Sequence, residues 1–206
     1  MSIEVKICGI TTLSDALSAV EFGADYLGFI LYPKSPRAIN VKALSGLIDK
    51  LGENCRAIGV FVNESRDQVE KIATDCGLFA VQIHGDENAM EFADFPVPVW
   101  RAVKQVSGLW QPEPSEWGAE RYVVDSSVSG MYGGTGVVGD WGKMVGFTKK
   151  HPVMLSGGLT ADNVDAAIRI VKPKGVDVAS GVEASPGKKD LQKLKAFIEN
   201  ARAVKI

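Results

Sequence analysis

The sequence predicts a single-domain (β/α)8 barrel, numbered 1–206. Three observations lead there. Short apolar runs alternate with amphipathic helical patterns to the end of the chain. The runs read as nearly continuous hydrophobic stretches, as strands of a parallel sheet buried on both faces do. Eight such units fill the 206 residues, at about 25 residues each, near the small end of the barrel range. An open doubly wound sheet is the rival. It uses five or six strands and leaves some of these units without a place.

The units follow in order. Ile3 to Ile7 alternates as a first strand, followed by Cys8-Gly9. Thr12 and Asp15 open a helix in the manner of a capping box, and Leu13, Ala16, Leu17 and Val20 give it one apolar face that Gly23 ends. Tyr26 to Leu31 is the second strand, and the loop after it is stiffened by Pro33 and Pro36 around Arg37. Leu44, Leu47, Ile48 and Leu51 form the next helix face, and Ala57 to Val62 the third strand. Ser65 and Gln68 cap a helix carrying Val69, Ile72, Ala73 and Cys76. Phe79 to Ile83 is the fourth strand, ending at His84-Gly85-Asp86. A short helix at 88–93 leads to the fifth, Val97 to Val103. Residues 105–120, with Pro112, Pro114, Trp110 and Trp117, predict a loop with one poor helix. Tyr122 to Val124 is the sixth strand, ending at Asp125, and a glycine-rich loop at 130–136 follows. Asp140 to Lys149 is helical. Val153 to Leu155 and Val176 to Ala179 are the last two strands, ending at Gly157-Gly158 and Ser180-Gly181. A helix from Leu191 to Arg202 closes the chain.

Composition narrows the function classes. The chain is 46% hydrophobic and 23% charged, with a net charge of −2, which offers no basic field for nucleic acid. No apolar run reaches the ~18 residues of a membrane span, and a strand beginning at Ile3 leaves no room for a leader. Cys8, Cys55 and Cys76 are an odd set without metal-ligand spacing, as free thiols in a reducing cytoplasm would be. Two histidines, His84 and His151, do not suggest a zinc site.

In a barrel the loops after the strands form one face, and the active site lies on it. That brings together Cys8, Arg37, His84, Asp125, Gly133 to Gly136, Gly157-Gly158 and Ser180-Gly181. By itself Cys8 reads as a buried small hydrophobe; on this rim it becomes a candidate base. Lys6, two residues earlier, points to the same side of the strand and is a candidate for the positive charge that would let the thiol ionise near neutral pH. Gly157-Gly158 and Ser180-Gly181 follow the last two strands, where barrels often bind phosphate through backbone N–H groups. Gly133-Gly134-Thr135-Gly136 is either a second anion nest or a lid. Arg37 suits a carboxylate, or is a solvated surface arginine. Asp125 is either a general acid or an Asx turn. His84 either holds a substrate hydroxyl or is a structural hydrogen-bonder. One thiol, one carboxyl and an anion site fit acid–base isomerisation of a small phosphorylated substrate.

The same residues carry a resemblance. Lys6-Ile7-Cys8-Gly9-Ile10-Thr11, Ser35-Pro36-Arg37 and Gln82-Ile83-His84-Gly85-Asp86 resemble motifs of the phosphoribosylanthranilate isomerase family of tryptophan biosynthesis. So do Gly133-Gly134-Thr135-Gly136, Ser156-Gly157-Gly158-Leu159 and Val176 to Glu183. The motifs run from residue 5 to about residue 190 in family order. The resemblance implies an Amadori rearrangement of N-(5-phosphoribosyl)anthranilate, the third step from chorismate to tryptophan, without a cofactor or metal. It implies a cytoplasmic enzyme, monomer or homodimer, with a small-molecule substrate and neither nucleic-acid nor membrane partners. It assigns Cys8 as general base, Asp125 as general acid, Arg37 to the anthranilate carboxylate, and the paired glycines with Ser180-Gly181 to the phosphate. This chain departs from the family at Val137, where a lysine is usual, and at Ser156 and Ala179. The alternatives are a pentose-phosphate epimerase or the indole-forming synthase of the same pathway, and a non-catalytic phosphosugar-binding paralogue.

Overall fold

A computed structural model of the chain describes residues 3–52, 55–125 and 141–205. Its strands are β1 (Glu4–Cys8), β2 (Tyr26–Ile30), β3 (Ala57–Phe61), β4 (Ala80–Ile83), β5 (Val99–Val106), β6 (Leu109–Gln111), β7 (Arg121–Asp125), β8 (Val153–Ser156), β9 (Gly175–Val178), β10 (Glu183–Ser185) and β11 (Lys188–Lys189). The helices are α1 (Leu13–Glu21), α2 (Val41–Leu51), α3 (Arg66–Asp75), α4 (Val145–Thr148), α5 (Val164–Val171) and α6 (Leu191–Ala203). The sheet runs β4-β3-β2-β1-β9-β8-β7-β5, and a β4–β5 pairing closes it. Those pairings are all parallel. The predicted (β/α)8 barrel is therefore present, with β6, β10 and β11 added outside it.

The period of two sorts each strand. One set of side chains faces the helices: Val5, Ile7, Leu27, Phe29, Val81, Ile83, Val124, Leu155, Val176 and Val178 belong to the large core between barrel and helices. The alternate set fills the barrel, where Tyr26, Ile58, Ala80, Trp100, Val123 and Met154 form a separate cluster. Above that plug, toward the strands' C-terminal ends, the inward positions turn polar. They hold Lys6, Gln82 and Asp177, all buried. The side of each strand that reaches the site is thus set by the same alternation that builds the core.

The cap residues read from sequence do their work. Thr12 Oγ1 accepts the Asp15 N–H (3.2 Å) and Ser65 Oγ that of Gln68 (3.4 Å). Asp15 departs from its expected part: its carboxylate accepts the N–H of Lys189 (3.1 Å), across the chain.

Residues 105–120 overturn the expected loop with a poor helix. β5 continues to Val106 and folds back into antiparallel β6. The turn residues Ser107 and Gly108 sit at φ 51° and 85°, positive at both central positions as a type I′ hairpin needs. The only helical piece is a 3-10 turn at Pro114–Glu116. The expected helix from Asp140 to Lys149 is also shorter, a 3-10 turn at Trp141–Met144 followed by α4. A second unforeseen hairpin, β10–β11, turns at Pro186-Gly187, with Gly187 at φ 80°.

Candidate active site

A cavity of about 450 Å³ opens at the C-terminal ends of the strands. Its lining includes Cys8, Arg37, His84, Asp125, Ser156, Gly157, Gly158, Asp177, Ser180 and Gly181. Eight of these ten come directly from the sequence reading; Asp177 and Ser156 join them. Lys6 lies beneath, buried. Gly133 and Gly134, with the rest of their loop and Val137, lie outside the described residues. His151 is remote from this rim and packs on Tyr122 and Phe147.

Cys8 ends β1, and Gly28 of β2 makes room for it. A Cβ on Gly28 would lie 2.8 Å from Cys8 Sγ and 3.1 Å from Lys6 Cε. The thiol and the lysine stem thus share the space over one glycine. Lys6 Nζ also binds Asp177 Oδ2 at 2.9 Å across the β1–β9 register. Burial opposes the Lys6 charge, but Asp177 and Cys8 outweigh burial and hold the ammonium above its ordinary value. An ammonium group therefore sits beside the thiol. It does not bring the thiol down to ionise near neutral pH, the effect that the sequence predicts. Burial pushes the Cys8 thiol up; Lys6 and Lys189 pull it down, and Asp177 adds to the rise, leaving it above its ordinary value. Desolvation of the thiolate, with Asp177 acting in the same direction, outweighs the nearby cations.

Asp125 ends β7, level with Ser156 on β8. Ser156 Oγ donates to the Val124 carbonyl (3.1 Å). His84 follows β4, and the Gln82 amide nitrogen lies 2.9 Å from its Nδ1. An amide N–H can only donate, so Nδ1 accepts and the imidazole carries its proton on Nε2. Burial, opposed by Asp125 and reinforced by Lys6, Arg101 and Lys104, pushes the His84 pKa down to about 4. The ring is neutral at physiological pH.

Two glycine-bearing turns make the far wall. Gly157 and Gly158 have φ of 85° and 64°, in the left-handed region where a side chain is strained. Asn163 locks that turn: its Nδ2 donates to the Gly158 carbonyl (3.0 Å) and its Oδ1 accepts the Thr160 N–H (2.9 Å). A Cβ on Gly181 would lie 1.8 Å from the Leu159 carbonyl oxygen. The turns after β8 and β9 interlock through that glycine.

Arg37 is not a solvated surface arginine. Its Nε donates to Glu183 Oε1 (2.9 Å) and its Nη2 to Glu183 Oε2 (2.8 Å). Glu183, Asp177, Gln82 and Lys189 were missed by sequence reasoning as parts of the site. The available signal for two of them was a polar residue interrupting an apolar strand, Ala80-Val81-Gln82-Ile83 and Gly175-Val176-Asp177-Val178.

A family model described as N-(5'-phosphoribosyl)anthranilate (PRA) isomerase matches residues 5–200. The chain belongs to the N-(5'-phosphoribosyl)anthranilate isomerase family. It is 43% identical over 203 residues to the isomerase of Pelobacter propionicus, covering 97% of this chain and 96% of that protein. It is 40% identical over 215 residues to that of Myxococcus xanthus, covering 100% and 99%. The crystal structure of the Thermotoga maritima isomerase superposes with a TM-score of 0.86 at 36% identity, over 98% of this chain and 100% of that one. Another isomerase structure, in complex with reduced 1-(o-carboxyphenylamino)-1-deoxyribulose 5-phosphate, gives 0.84 at 36% identity over the same shares. Like the rest of the phosphoribosylanthranilate isomerase family, the chain is an enzyme of the isomerase class on a (β/α)8 barrel. Among the described residues no helix is long and apolar enough to cross a membrane.

Proposed function

We propose that this chain catalyses the Amadori rearrangement of N-(5-phosphoribosyl)anthranilate to 1-(2-carboxyphenylamino)-1-deoxyribulose 5-phosphate, the third step from chorismate to tryptophan. It works in the cytoplasm as a monomer or a homodimer. The observation that carries the reading is the convergence of Cys8 and Asp125, from β1 and β7, on one cavity with the turns at 157–158 and 180–181.

The phosphate binds to backbone N–H groups of the turns after β8 and β9, with Ser180 adding a hydroxyl. The glycines allow the close approach that an anion needs. At the opposite end Arg37 receives the anthranilate carboxylate, since planar guanidinium matches carboxylate in a bidentate pair. Held at both ends, the ribose lies between Cys8 and Asp125. Asp125, as the acid, gives its proton to the furanose ring oxygen. The C1–O bond breaks, and the nitrogen lone pair forms the C1=N Schiff base. Cys8, as thiolate, removes the proton from C2, and the electron pair passes through C1=N to nitrogen to give the enolamine. That species tautomerises to the ketone, with the proton arriving at C1. His84, neutral and protonated on Nε2, donates to a sugar hydroxyl. Lys6 stabilises the thiolate at the moment it forms. Gly133 and Gly134 belong to the substrate-binding set.

A buried thiol above its ordinary pKa is mostly protonated at neutral pH, so kcat/KM rises with pH through the range where Cys8 ionises. The experiment is to follow the loss of phosphoribosylanthranilate fluorescence with purified protein. Cys8→Ala and Asp125→Asn each lower kcat by about 10²–10⁴-fold, with KM changed only a few-fold. Ordinary turnover by either variant removes that residue from the mechanism, and no turnover by the unaltered protein favours a phosphosugar-binding paralogue.

A further inference from the structure

The chain between the last glycine turn and α6 has no part in the chemistry above, yet it sets two charged groups, Glu183 and Lys189, against the site. Glu183 opens β10 and takes the Nε and Nη2 donors of Arg37 on its two carboxylate oxygens. Its Oε1 also accepts from Lys189 Nζ (3.1 Å) and from the Gly187 N–H (3.3 Å). Lys189 in turn donates to the carbonyls of Cys8 (2.6 Å), which ends β1, and Ala179 (3.2 Å), which follows β9. Both Glu183 and Lys189 are buried. The hairpin that carries them is anchored to the turn after β1, where the Thr11 hydroxyl donates to the Gly187 carbonyl (2.5 Å), and to α1, where Asp15 accepts the Lys189 N–H.

Arg37 is seated from the other side as well. Its stem crosses Gly9, where a Cβ would come within 2.7 Å of Arg37 Cδ. With Nε and one hydrogen of Nη2 engaged by Glu183, the hydrogens of Nη1 and the second on Nη2 have no partner among the described residues. That leaves the end of the guanidinium, a second bidentate edge, for a carboxylate in the cavity that Arg37 lines. An arginine without such a brace spreads over many rotamers, and ordering it on binding costs affinity.

We infer that Glu183 is a positioning residue for substrate recognition: with Lys189 it pre-orients Arg37 so that one guanidinium edge is presented to the substrate's aromatic carboxylate. This rests on the assignment of Arg37 above. Arg37 and Lys189 are two cations around the one carboxylate of Glu183, which leaves a net positive charge facing an anionic ligand.

The test is titration calorimetry with two probes. Reduced 1-(o-carboxyphenylamino)-1-deoxyribulose 5-phosphate carries both carboxylate and phosphate; ribose 5-phosphate carries phosphate alone. Glu183→Gln should weaken the reduced product about tenfold and leave ribose 5-phosphate within twofold. In turnover KM should rise about tenfold while kcat falls less than threefold. Equal loss for both probes, or loss for neither, overturns the inference. Arg37→Gln separates the two assignments. If it fails to weaken the reduced product, the role given to Arg37 falls, and this inference with it; if it weakens that probe while Glu183→Gln does not, only the inference falls. Should Glu183→Gln alone fail to fold, the double variant Arg37→Gln/Glu183→Gln removes both charges together. It should bind the reduced product as Arg37→Gln does, and markedly weaker binding means that Glu183 does not act through Arg37.

Discussion

Gly28→Ala is a one-methyl perturbation aimed at the base. The added Cβ would stand 2.8 Å from Cys8 Sγ and 3.1 Å from both the Cys8 Cα and Lys6 Cε. Ordinary contacts between such atoms lie near ~3.5–4.0 Å, so the thiol must retreat by roughly 0.7–1.2 Å or leave its rotamer. Misplacement of a reacting group by about 1 Å costs on the order of 10²-fold in rate. Overpacking should also cost about 1–3 kcal/mol of stability. Gly59→Ala is the matched control. Its Cβ would meet Leu78 Cδ1 at 2.7 Å and Phe61 Cε2 at 2.8 Å, an equal crowding on the helix-facing side of β3. The expected result is a similar drop in Tm for both variants, with kcat falling about 10²-fold only in Gly28→Ala. Fluorescence-loss kinetics and thermal unfolding read the two effects separately. Equal kcat in the two variants would refute the claim that Gly28 exists to seat Cys8.

Two further outcomes follow from the charges around the site. Lys6→Met removes a cation that holds the Cys8 thiol down against burial. Iodoacetamide labelling of the Cys8 peptide at pH 8 should slow by about tenfold or more, the size of one pKa unit in the thiolate population; labelling at the unaltered rate contradicts the assignment of Lys6. His84 titrates near 4 in the folded chain against about 6.5 unfolded. The unfolded state therefore binds the extra proton as pH falls through 6.5. Stability is full above that pH and declines by about 3 kcal/mol on the way to pH 4. Between pH 7 and 5 the loss attributable to this ring is about 2 kcal/mol, measurable by urea unfolding. His84→Gln should flatten the slope by that amount, and an unchanged slope shows that the ring is not held neutral.

Much of this protein is written locally. The alternation of apolar runs with helix faces, the caps at Thr12 and Ser65, and the glycines that end strands β8 and β9 depend on residues a few positions apart, and so they can be read from order alone. Once eight units close into a barrel, the C-terminal ends of the strands must meet, which is why Cys8, Asp125, His84 and the two glycine turns can be gathered from the sequence. The hairpin at Ser107-Gly108 also had a local signal, but Trp110, Pro112, Pro114 and Trp117 nearby read more strongly as a loop. What order could not decide is which distant charges pair. Lys6 meets Asp177 over 171 positions of chain, Arg37 meets Glu183 over 146, and Lys189 reaches the Cys8 carbonyl over 181. Those pairings follow from strand register and from where β10–β11 folds back. They determine the thiol's ionisation and the posture of the arginine, because inside the barrel the balance of desolvation against neighbouring charge depends on a few ångströms that only the tertiary structure sets.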